Sequence, residues 1–459
     1  MINRLSGTNF YREIGVKPLK NKKDTVSNSV NISYEKNYTP VKNNVSFGSY
    51  RVVRTQLTKP EQKIYSEIVS NLPVKQRSQM ENLLAKGILL DSRSNDNTTV
   101  LDNLYKVLNE KRAKGLDKKI VLSEIVNTLN NPFVITQKFG DIPDKELLDI
   151  LKKPEKYIPQ KDSPTEKYTP EIKNVHSCAC VAASIEFDLA TKQPAEFARI
   201  ANGLTSENIC ADKKLNMKDI ASSWTEAAWF LSEFKPDYKR DNWDTITVKM
   251  APDRNAIVRA RIQMTHKDPN ERSLVDVLMQ STFMNIGSQQ TYNSLTDLRT
   301  GKYNSDNTGL TDIEKSFAEA IATGKNKYSI TYQQMDDDGF ITGYECSLDK
   351  IKKHIKDSIK MGENVIIGYT QKDETGKVIN GHEITIVAIE KDRDGKEIFV
   401  CNDTDDESDS PVKYYIDDLL PAIHHAGLPL YVLRNDKELL PGDYEAIDYY
   451  KEITKNKKV

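Results

Sequence analysis

The chain has 459 residues, of which 38% are hydrophobic and 29% are charged. Its 66 lysine and arginine residues nearly balance 67 aspartate and glutamate residues, so the net charge is only -1. A chain of this length is expected to form two or three units, and a balanced charge creates no overall field toward nucleic acid or an anionic membrane. We therefore expect no nucleic acid and no membrane among its partners.

The N-terminal residues and the cysteine count predict the compartment. The opening sequence MINRLSGTNF lacks the uninterrupted apolar core of a secretory signal, and no later stretch approaches the roughly 18 apolar residues of a membrane span. Five cysteines, an odd number, favour a reducing compartment over a framework of disulfides. The sequence thus predicts a cytoplasmic protein, or one exported by a route that uses no Sec-type signal peptide.

The first predicted elements are an arm and a helical domain. Residues 1–57 are rich in Asn, Lys and Ser and lack a hydrophobic period, which predicts a disordered arm. A helix is predicted to begin after Thr58, because Thr58 and Glu61 have the spacing of a capping box and apolar residues follow at helical spacing. Similar patterns continue, so residues 58–155 are predicted to form a small all-α domain.

The rest of the chain predicts an α+β domain and a tail. Helical patterns come first, and from about residue 327 strand-like segments such as KYSITYQQ, NVIIGYT and HEITIVAIE follow one another. Helices followed by strands are typical of an α+β fold, which we assign to residues 156–436. Residues 437–459 are predicted to form a charged C-terminal tail.

Two cysteines open the α+β domain within the sequence NVHSCACVAAS, residues 174–184. The residues after Cys180, VAASIEFDLA, form a good amphipathic helix, which puts this thiol near a helix N terminus. Unpaired backbone N–H groups and the helix dipole stabilise a thiolate there, and they also stabilise an oxyanion. Cys178 remains an alternative nucleophile, because a helix that starts half a turn earlier would begin there instead.

The later strands supply a candidate base. His382 precedes the apolar strand 384–389, and the turn Asp-Arg-Asp-Gly leads into a second strand that ends at Asn402. Such a hairpin brings the neighbourhoods of His382 and Asn402 together. A histidine beside an amide is the base and the orienting group of a nucleophilic site.

In this order of features the chain resembles a divergent member of the papain-like cysteine peptidase superfamily. Cys180-Val-Ala-Ala-Ser resembles the family's Cys-Trp-Ala-Phe-Ser, Asn-Gly-His382 resembles its base segment, and Phe-Val-Cys-Asn402 resembles its orienting strand. Asn174 stands six residues before Cys180, where the family has its oxyanion Gln, and is one methylene shorter. The resemblance implies a papain-like fold, with a helical subdomain and an antiparallel barrel-like sheet, preceded by the all-α domain.

The same resemblance implies a cysteine peptidase that cleaves peptide or amide bonds through an acyl-enzyme. Cys180 would be the nucleophile and His382 the base, while Asn402 orients the imidazole and Asn174 helps to hold the oxyanion. It implies protein or peptide substrates and neither a cofactor nor a metal. The helical domain at 58–155 precedes the catalytic part as inhibitory pro-regions do, so we expect it to inhibit the enzyme intramolecularly.

Two other functions fit the same sequence. Transglutaminase-like or deamidase enzymes transfer the acyl group of a glutamine with the same order of Cys, His and polar residue, and Asp403 next to Asn402 fits such a site. A catalytically inactive papain-like binding module would explain the shortened amide at Asn174.

Two further patterns point away from metal binding. Residues 334–345, QMDDDGFITGYE, imitate the Ca²⁺ loop of an EF-hand, but Gln334 at the first position and the strand-like residues before it favour a solvated turn. His354, His424 and His425 lack ligand spacing to cysteines or acidic residues. We therefore expect these three histidines at the surface or at helix ends.

Overall fold

The fold is seen in a computed structural model of the chain. It describes residues 54–140, 174–176, 178–221, 237–239, 242–265, 271–288, 292–295, 298–299, 309–405 and 409–436, together with residues 227, 231 and 439. The predicted disordered arm lies outside these residues except for 54–57, and the predicted tail at 437–459 lies outside them except for Leu439.

The described helices and strands follow one another irregularly along the chain. The helices are α1 Lys59–Ser70, α2 Val74–Ala85, α3 Val100–Asn109, α4 Lys118–Asn130, α5 Cys180–Lys192, α6 Pro194–Thr205, α7 Met217–Ile220, α8 Ala256–Thr265, α9 Leu274–Gly287, α10 Asp312–Thr323, α11 Leu348–Lys360 and α12 Ile416–Leu419. The strands are β1 Lys138–Gly140, β2 Asn174–His176, β3 Ala211–Asn216, β4 Asp237–Lys239, β5 Asn242–Met250, β6 Tyr292–Asn293, β7 Leu298–Arg299, β8 Lys327–Thr331, β9 Gln333–Met335, β10 Ile341–Tyr344, β11 Val365–Lys372, β12 Val378–Lys391, β13 Glu397–Asp403, β14 Val412–Tyr415 and β15 Ile423–Pro429.

The first helix begins where its capping box predicts. The Thr58 side chain accepts a hydrogen bond from the backbone N–H of Glu61, and the Glu61 carboxylate accepts one from the N–H of Thr58. Both donors belong to the unpaired first turn of a helix, so the pair fixes the start of α1. The predicted helix after Thr58 is confirmed.

The N-terminal helices pack into the core of the rest of the chain. Helix α3 packs on α6, and α4 packs on α9, within a hydrophobic core that also contains α5. Polar contacts tie the same regions together, because the Arg112 guanidinium donates to the backbone and side chain of Asn202. The predicted boundary at residues 155 and 156 lies outside the described residues, and the core does not divide there. Removing residues 58–155 would therefore expose this core.

An antiparallel sheet of six strands, in the order β14-β13-β12-β11-β15-β8, forms the other half of the fold. Side chains alternate between its two faces along each strand. We call one the tyrosine face; it carries the side chains of Tyr369, His382, Ile384, Asp403 and Tyr414. We call the other the helix face; it carries those of Ile366, Glu383, Thr385, Val400 and Asn402.

Different helices cover the two faces. Helix α11 buries Ile351 and Ile355 in the core of the tyrosine face. Helices α5, α9 and α10 belong to the core of the helix face, which contains Ile366 and Val400. The chain is thus a mixed α+β protein with antiparallel sheets, as predicted. Among the described helices there is none long and apolar enough to cross a membrane.

Candidate active site

Cys180 is the first residue of α5, as the sequence predicts, and its side chain is half-buried. Every residue from Val181 to Thr191 is buried, Glu186 included, so the helix is packed on all sides and the predicted amphipathic character is wrong. Two polar contacts fix the C-terminal half of the helix: the Asp188 carboxylate lies 2.9 Å from Lys327 Nζ, and the Thr191 hydroxyl accepts a hydrogen bond from Asn364 Nδ2. These contacts hold α5 on the helix face.

The chain before Cys180 is tied to the end of the sheet where β13 stops. Strand β2, just before the cysteines, pairs with β1. The residues before β1 are bonded to the residue after β13: the Thr136 hydroxyl and the backbone N–H of Gln137 both donate to the carbonyl of Thr404, at 2.8 and 3.2 Å. The N-terminal end of α5 is therefore connected to the region of Asp403 and His382.

His382 lies in β12, is 5% exposed, and is bound by carboxylates. Its Nε2 is 2.8 Å from Asp403 Oδ1, and its Nδ1 is 3.7 Å from Asp405 Oδ2, which is too long for a hydrogen bond. The edge of the ring meets the Tyr369 ring, with centroids 5.7 Å apart. Nε2 is thus engaged by Asp403, while Nδ1 makes only a longer ionic contact.

Asp403 is itself held in place. The Tyr414 hydroxyl donates to Asp403 Oδ2 at 2.7 Å, and the backbone N–H of Asp405 donates to Oδ1 at 3.1 Å. Burial and the neighbouring carboxylate raise the pKa of Tyr414, so the phenol keeps the proton it donates. A carboxylate fixed in this way orients the imidazole as the third member of a catalytic triad does.

The carboxylates also set the charge of the ring. Burial alone would lower the pKa of His382, but the charges of Asp405 and Asp403 outweigh it and raise the pKa well above the usual value. The two carboxylates therefore favour the imidazolium form of the ring. A protonated histidine is the form that stabilises a nearby thiolate.

Asn402 does not contact His382, so the predicted orienting amide is wrong. Asn402 is the register partner of Thr385, whereas Asp403 is the partner of Ile384. Because side chains alternate, Asn402 points to the helix face and Asp403 to the tyrosine face, where the His382 ring lies. Asp403, one residue later, makes the contact with the imidazole that the sequence assigned to Asn402.

Two other predicted positions lie just before the helix. Asn174 is in β2, but its side chain lies outside the described part of the chain, so its proposed oxyanion contact stays a prediction. Cys178 precedes the first turn of α5 and is half-buried. Since the helix starts at Cys180, it is Cys180 and not Cys178 that stands at the helix N terminus.

A second histidine–carboxylate group, which the sequence did not predict, lies on the helix face. His425 Nε2 is hydrogen-bonded to Glu383 Oε1, and Lys315 Nζ is 2.8 Å from Glu383 Oε2. Burial alone would raise the pKa of Glu383, but His425 and Lys315 lower it well below its usual value. The expected surface or helix-end location is thus wrong for His425, which lies inside the sheet in β15.

His354 is also buried. It is 1% exposed within α11, where Nδ1 is 3.1 Å from the Tyr332 hydroxyl and Nε2 is 2.9 Å from Asp436 Oδ2. Both ring nitrogens are therefore used in structural contacts, and the prediction of a surface or helix-end position is wrong here too.

The segment that imitates a Ca²⁺ loop is a β-hairpin. Strands β9 and β10 pair around the turn, and Asp336 Oδ1 accepts hydrogen bonds from the backbone N–H groups of Asp338 and Phe340. The acidic side chain thus closes the turn, as Asp does in many β-turns. The solvated turn favoured by the sequence is what the structure contains.

Comparison with known proteins does not assign the chain to a family. No protein-family model, no curated protein and no solved structure matches the chain. Function must therefore be argued from the residues themselves.

Proposed function

We propose that this protein is a papain-like cysteine hydrolase of peptide or amide bonds, with Cys180 as the nucleophile, His382 as the base and Asp403 as the orienting residue. The observation that carries the proposal is the buried His382–Asp403 pair, fixed by Tyr414 and tied to the chain that leads into Cys180. Structural histidines are often buried in this way. A thiol on the first turn of a buried helix, joined to the same end of the sheet, is the additional feature that favours chemistry.

The proposed reaction follows the ordinary course of thiol catalysis. The Cys180 thiolate attacks the carbonyl carbon, and the oxyanion is stabilised by backbone N–H groups at the start of α5, with Asn174 as the proposed second donor. The His382 imidazolium gives its proton to the leaving amine as the C–N bond breaks, which leaves a thioester. A water molecule then attacks the thioester and gives one proton to His382, and the C–S bond breaks to release the acid and restore the Cys180 thiolate beside the imidazolium.

The geometry sets one requirement for this reaction. Helix α5 covers the helix face, whereas the His382 ring lies on the tyrosine face. The thiol must therefore meet the ring around the end of β13, where that strand stops at Asp403. Nδ1 is the nitrogen available for this contact, since Nε2 is bonded to Asp403.

A second reaction of the same site is favoured by the carboxylate. Asp403 is the residue whose position next to Asn402 fits acyl transfer in the sequence, and its bond to His382 favours a Cys-His-Asp site over a Cys-His-Asn site. In that reaction the thiolate attacks the side-chain amide of a glutamine and releases ammonia, and the thioester passes to water or to an amine. Neither reaction requires a cofactor.

The test is an assay for both products. Wild type and the Cys180→Ala and His382→Ala variants are incubated with denatured protein substrates and glutamine-containing peptides, and new peptide N termini and free ammonia are measured. Cys210→Ala is the matched control, because this half-buried thiol directly precedes β3, a strand of a different sheet from the one that carries His382. We expect product formation that depends on Cys180 and His382 but not on Cys210. Product formation that survives Cys180→Ala, or none by folded wild type, contradicts the proposal and favours a binding module.

A further inference from the structure

On the helix face, three side chains from two distant parts of the chain converge. They are Asp312, the first residue of α10, and His424 and His425 of β15. His424 Nδ1 lies 2.8 Å from His425 Nδ1, and His425 Nδ1 lies 3.0 Å from Asp312 Oδ1. One potential ligand atom from each residue lies within 4.8 Å of the other two.

A β-bulge allows two consecutive histidines to meet. In a regular strand their side chains would point to opposite faces. The register shifts here, because His425 is the partner of Gly368 while Ile423, two residues earlier, is the partner of the very next residue, Tyr369. His424 is thus the extra residue, and a bulge of this kind redirects a side chain.

Gly368 provides the space beneath the cluster. A Cβ atom at this position would overlap the His425 ring and would lie 2.6 Å from Glu383 Oε1. The absence of a side chain lets the imidazole and the Glu383 carboxylate come together over the strand.

Outer contacts orient the converging atoms. Glu383 Oε1 accepts from His425 Nε2, which leaves Nδ1 directed at Asp312, and Thr331 Oγ1 donates to Asp312 Oδ2 at 2.7 Å. Metal-binding histidines usually donate their second N–H to a carboxylate, and metal-binding carboxylates are themselves hydrogen-bonded. Two acceptor atoms such as Nδ1 and Oδ1 at 3.0 Å need a cation between them, either a proton or a metal ion.

We propose that Asp312, His424 and His425 form a binding site for a divalent transition metal, with Zn²⁺ as the expected ion. Two imidazole nitrogens and one carboxylate oxygen are ligands that Zn²⁺ prefers. Ligands at about 2.05 Å in a tetrahedral shell are roughly 3.3 Å apart, so the observed pairs at 2.8 and 3.0 Å need to separate by only a few tenths of an ångström. Asp312 and His424 are half-exposed, which leaves the fourth position open to water.

The site is separate from the one proposed for Cys180. Glu383 points to the helix face and contacts His425 of the metal site, whereas His382 points to the tyrosine face. Strand β12 thus contributes neighbouring residues to the two sites. Metal binding can therefore be tested without any assay of hydrolysis.

The experiment measures binding of Zn²⁺ to the full chain by competition with a chromophoric chelator, and of Co²⁺ by its visible absorption. His424→Ala removes a half-exposed ligand and leaves the buried contact of Lys315 with Glu383 in place. Asp337→Asn, an exposed carboxylate in the β9–β10 turn, is the control for non-specific binding to acidic groups. Cys180→Ser tests whether a thiol supplies the binding.

We expect one ion per chain, at least tenfold weaker binding by His424→Ala, and wild-type binding by Asp337→Asn and Cys180→Ser. Circular dichroism verifies folding, and Asp312→Asn, which keeps the side-chain shape, gives the same answer if His424→Ala does not fold. Wild type that does not bind micromolar Zn²⁺, or variants of Asp312 and His424 that bind it as wild type does, would overturn the proposal. So would binding that is lost in Cys180→Ser.

Discussion

The two faces of the six-stranded sheet carry two histidine–carboxylate pairs of different character. On the tyrosine face, His382 is bonded to Asp403, and its Nδ1 makes only a 3.7 Å contact to Asp405. On the helix face, both nitrogens of His425 are within hydrogen-bonding distance of polar atoms, and Lys315 neutralises the partner Glu383. The first pair leaves one ring nitrogen with only the longer contact to Asp405, whereas the second directs both ring nitrogens at carboxylates, in the arrangement proposed here for a bound cation.

This difference comes from a single step along one strand. His382 and Glu383 are consecutive in β12, so the pleat directs them to opposite faces. The chemistry of each face is then set by which residues of the next strands point the same way. A one-residue change of register would exchange the two sets of partners.

The largest expected effect shows which of Asp403 and Asn402 orients the His382 imidazole. Asp403→Asn should lower kcat/KM of the proposed hydrolysis by roughly 10²–10⁴-fold, because the imidazole loses the carboxylate that orients it and stabilises its charge. Asn402→Ala is the matched control and should cost less than about tenfold. The measurement is steady-state kinetics on the substrate found in the assay. A larger loss of kcat/KM in Asn402→Ala than in Asp403→Asn would show that the amide, and not the carboxylate, orients the imidazole.

The next effect tests the close approach beneath His425. Gly368→Ala should lower the free energy of unfolding by about 3 kcal/mol, because the new Cβ overlaps the ring of His425 and crowds Glu383. Gly381→Ala, on the same hairpin, is the control, because its Cβ would have its nearest neighbour at 3.8 Å, an ordinary contact. Denaturant unfolding of the two variants checks this. Equal stability of the two would show that the helix face is not tightly packed at His425.

A smaller effect concerns an acid pair in the helices that cover the helix face. Burial and the charge of Asp276 raise the pKa of Glu186 well above its usual value of 4.5, and burial raises that of Asp276 to about 6. The folded protein therefore holds protons that the unfolded chain releases above about pH 4.5, and its stability falls as the pH rises from there through the folded pKa values.

Glu186→Gln tests this pair, because its amide cannot ionise and can still donate to Asp276. The free energy of unfolding of wild type should fall by about 1–2 kcal/mol more than that of the variant between about pH 5 and about pH 9. Denaturant unfolding at the two pH values measures the difference. Parallel pH dependences would mean that Glu186 is ionised in the folded protein.

The smallest expected effect tests how much Asp405 contributes to the charge of the His382 ring. Asp405→Asn removes one of the two carboxylates that raise the pKa of His382, so the alkaline limb of the pH–rate profile should move to lower pH by about one unit. The limb reports loss of the imidazolium that accompanies the thiolate. A limb that stays in place would show that Asp403 alone sets the charge of the ring.

Local signals in the sequence predicted much of the fold. Capping at Thr58, the helix from Cys180 and the strand after His382 depend on neighbouring residues, and the structure has all three. The choice between Asn402 and Asp403 depends on the register of β12 with β13, which shifts between Ile386 and Ala388. That shift follows from tertiary packing and leaves no local signal.

The helix-face cluster was beyond prediction for a related reason. Asp312 is more than 100 residues from His424 in the chain, and only the sheet and α10 bring them together. The side chains of His424 and His425 are in contact only because of a β-bulge, and no local pattern in the sequence predicts that bulge. The all-α domain was predicted as a unit of its own, and its apolar residues belong to the same core as α5 and α9.

The central claim, that His382 and Asp403 activate Cys180, is tested most directly by thiol labelling at about pH 5. Iodoacetamide labelling of wild type, His382→Ala, Asp403→Asn and Asn402→Ala is followed by peptide mass spectrometry, with fragment spectra that distinguish Cys180 from Cys178. An ordinary thiol with a pKa near 8.5 is almost wholly protonated at that pH, whereas a thiolate paired with imidazolium reacts. We predict fast labelling of Cys180 that is lost in His382→Ala, reduced in Asp403→Asn and retained in Asn402→Ala. Labelling of Cys180 no faster than that of the other cysteines, or unchanged by His382→Ala, would contradict the account.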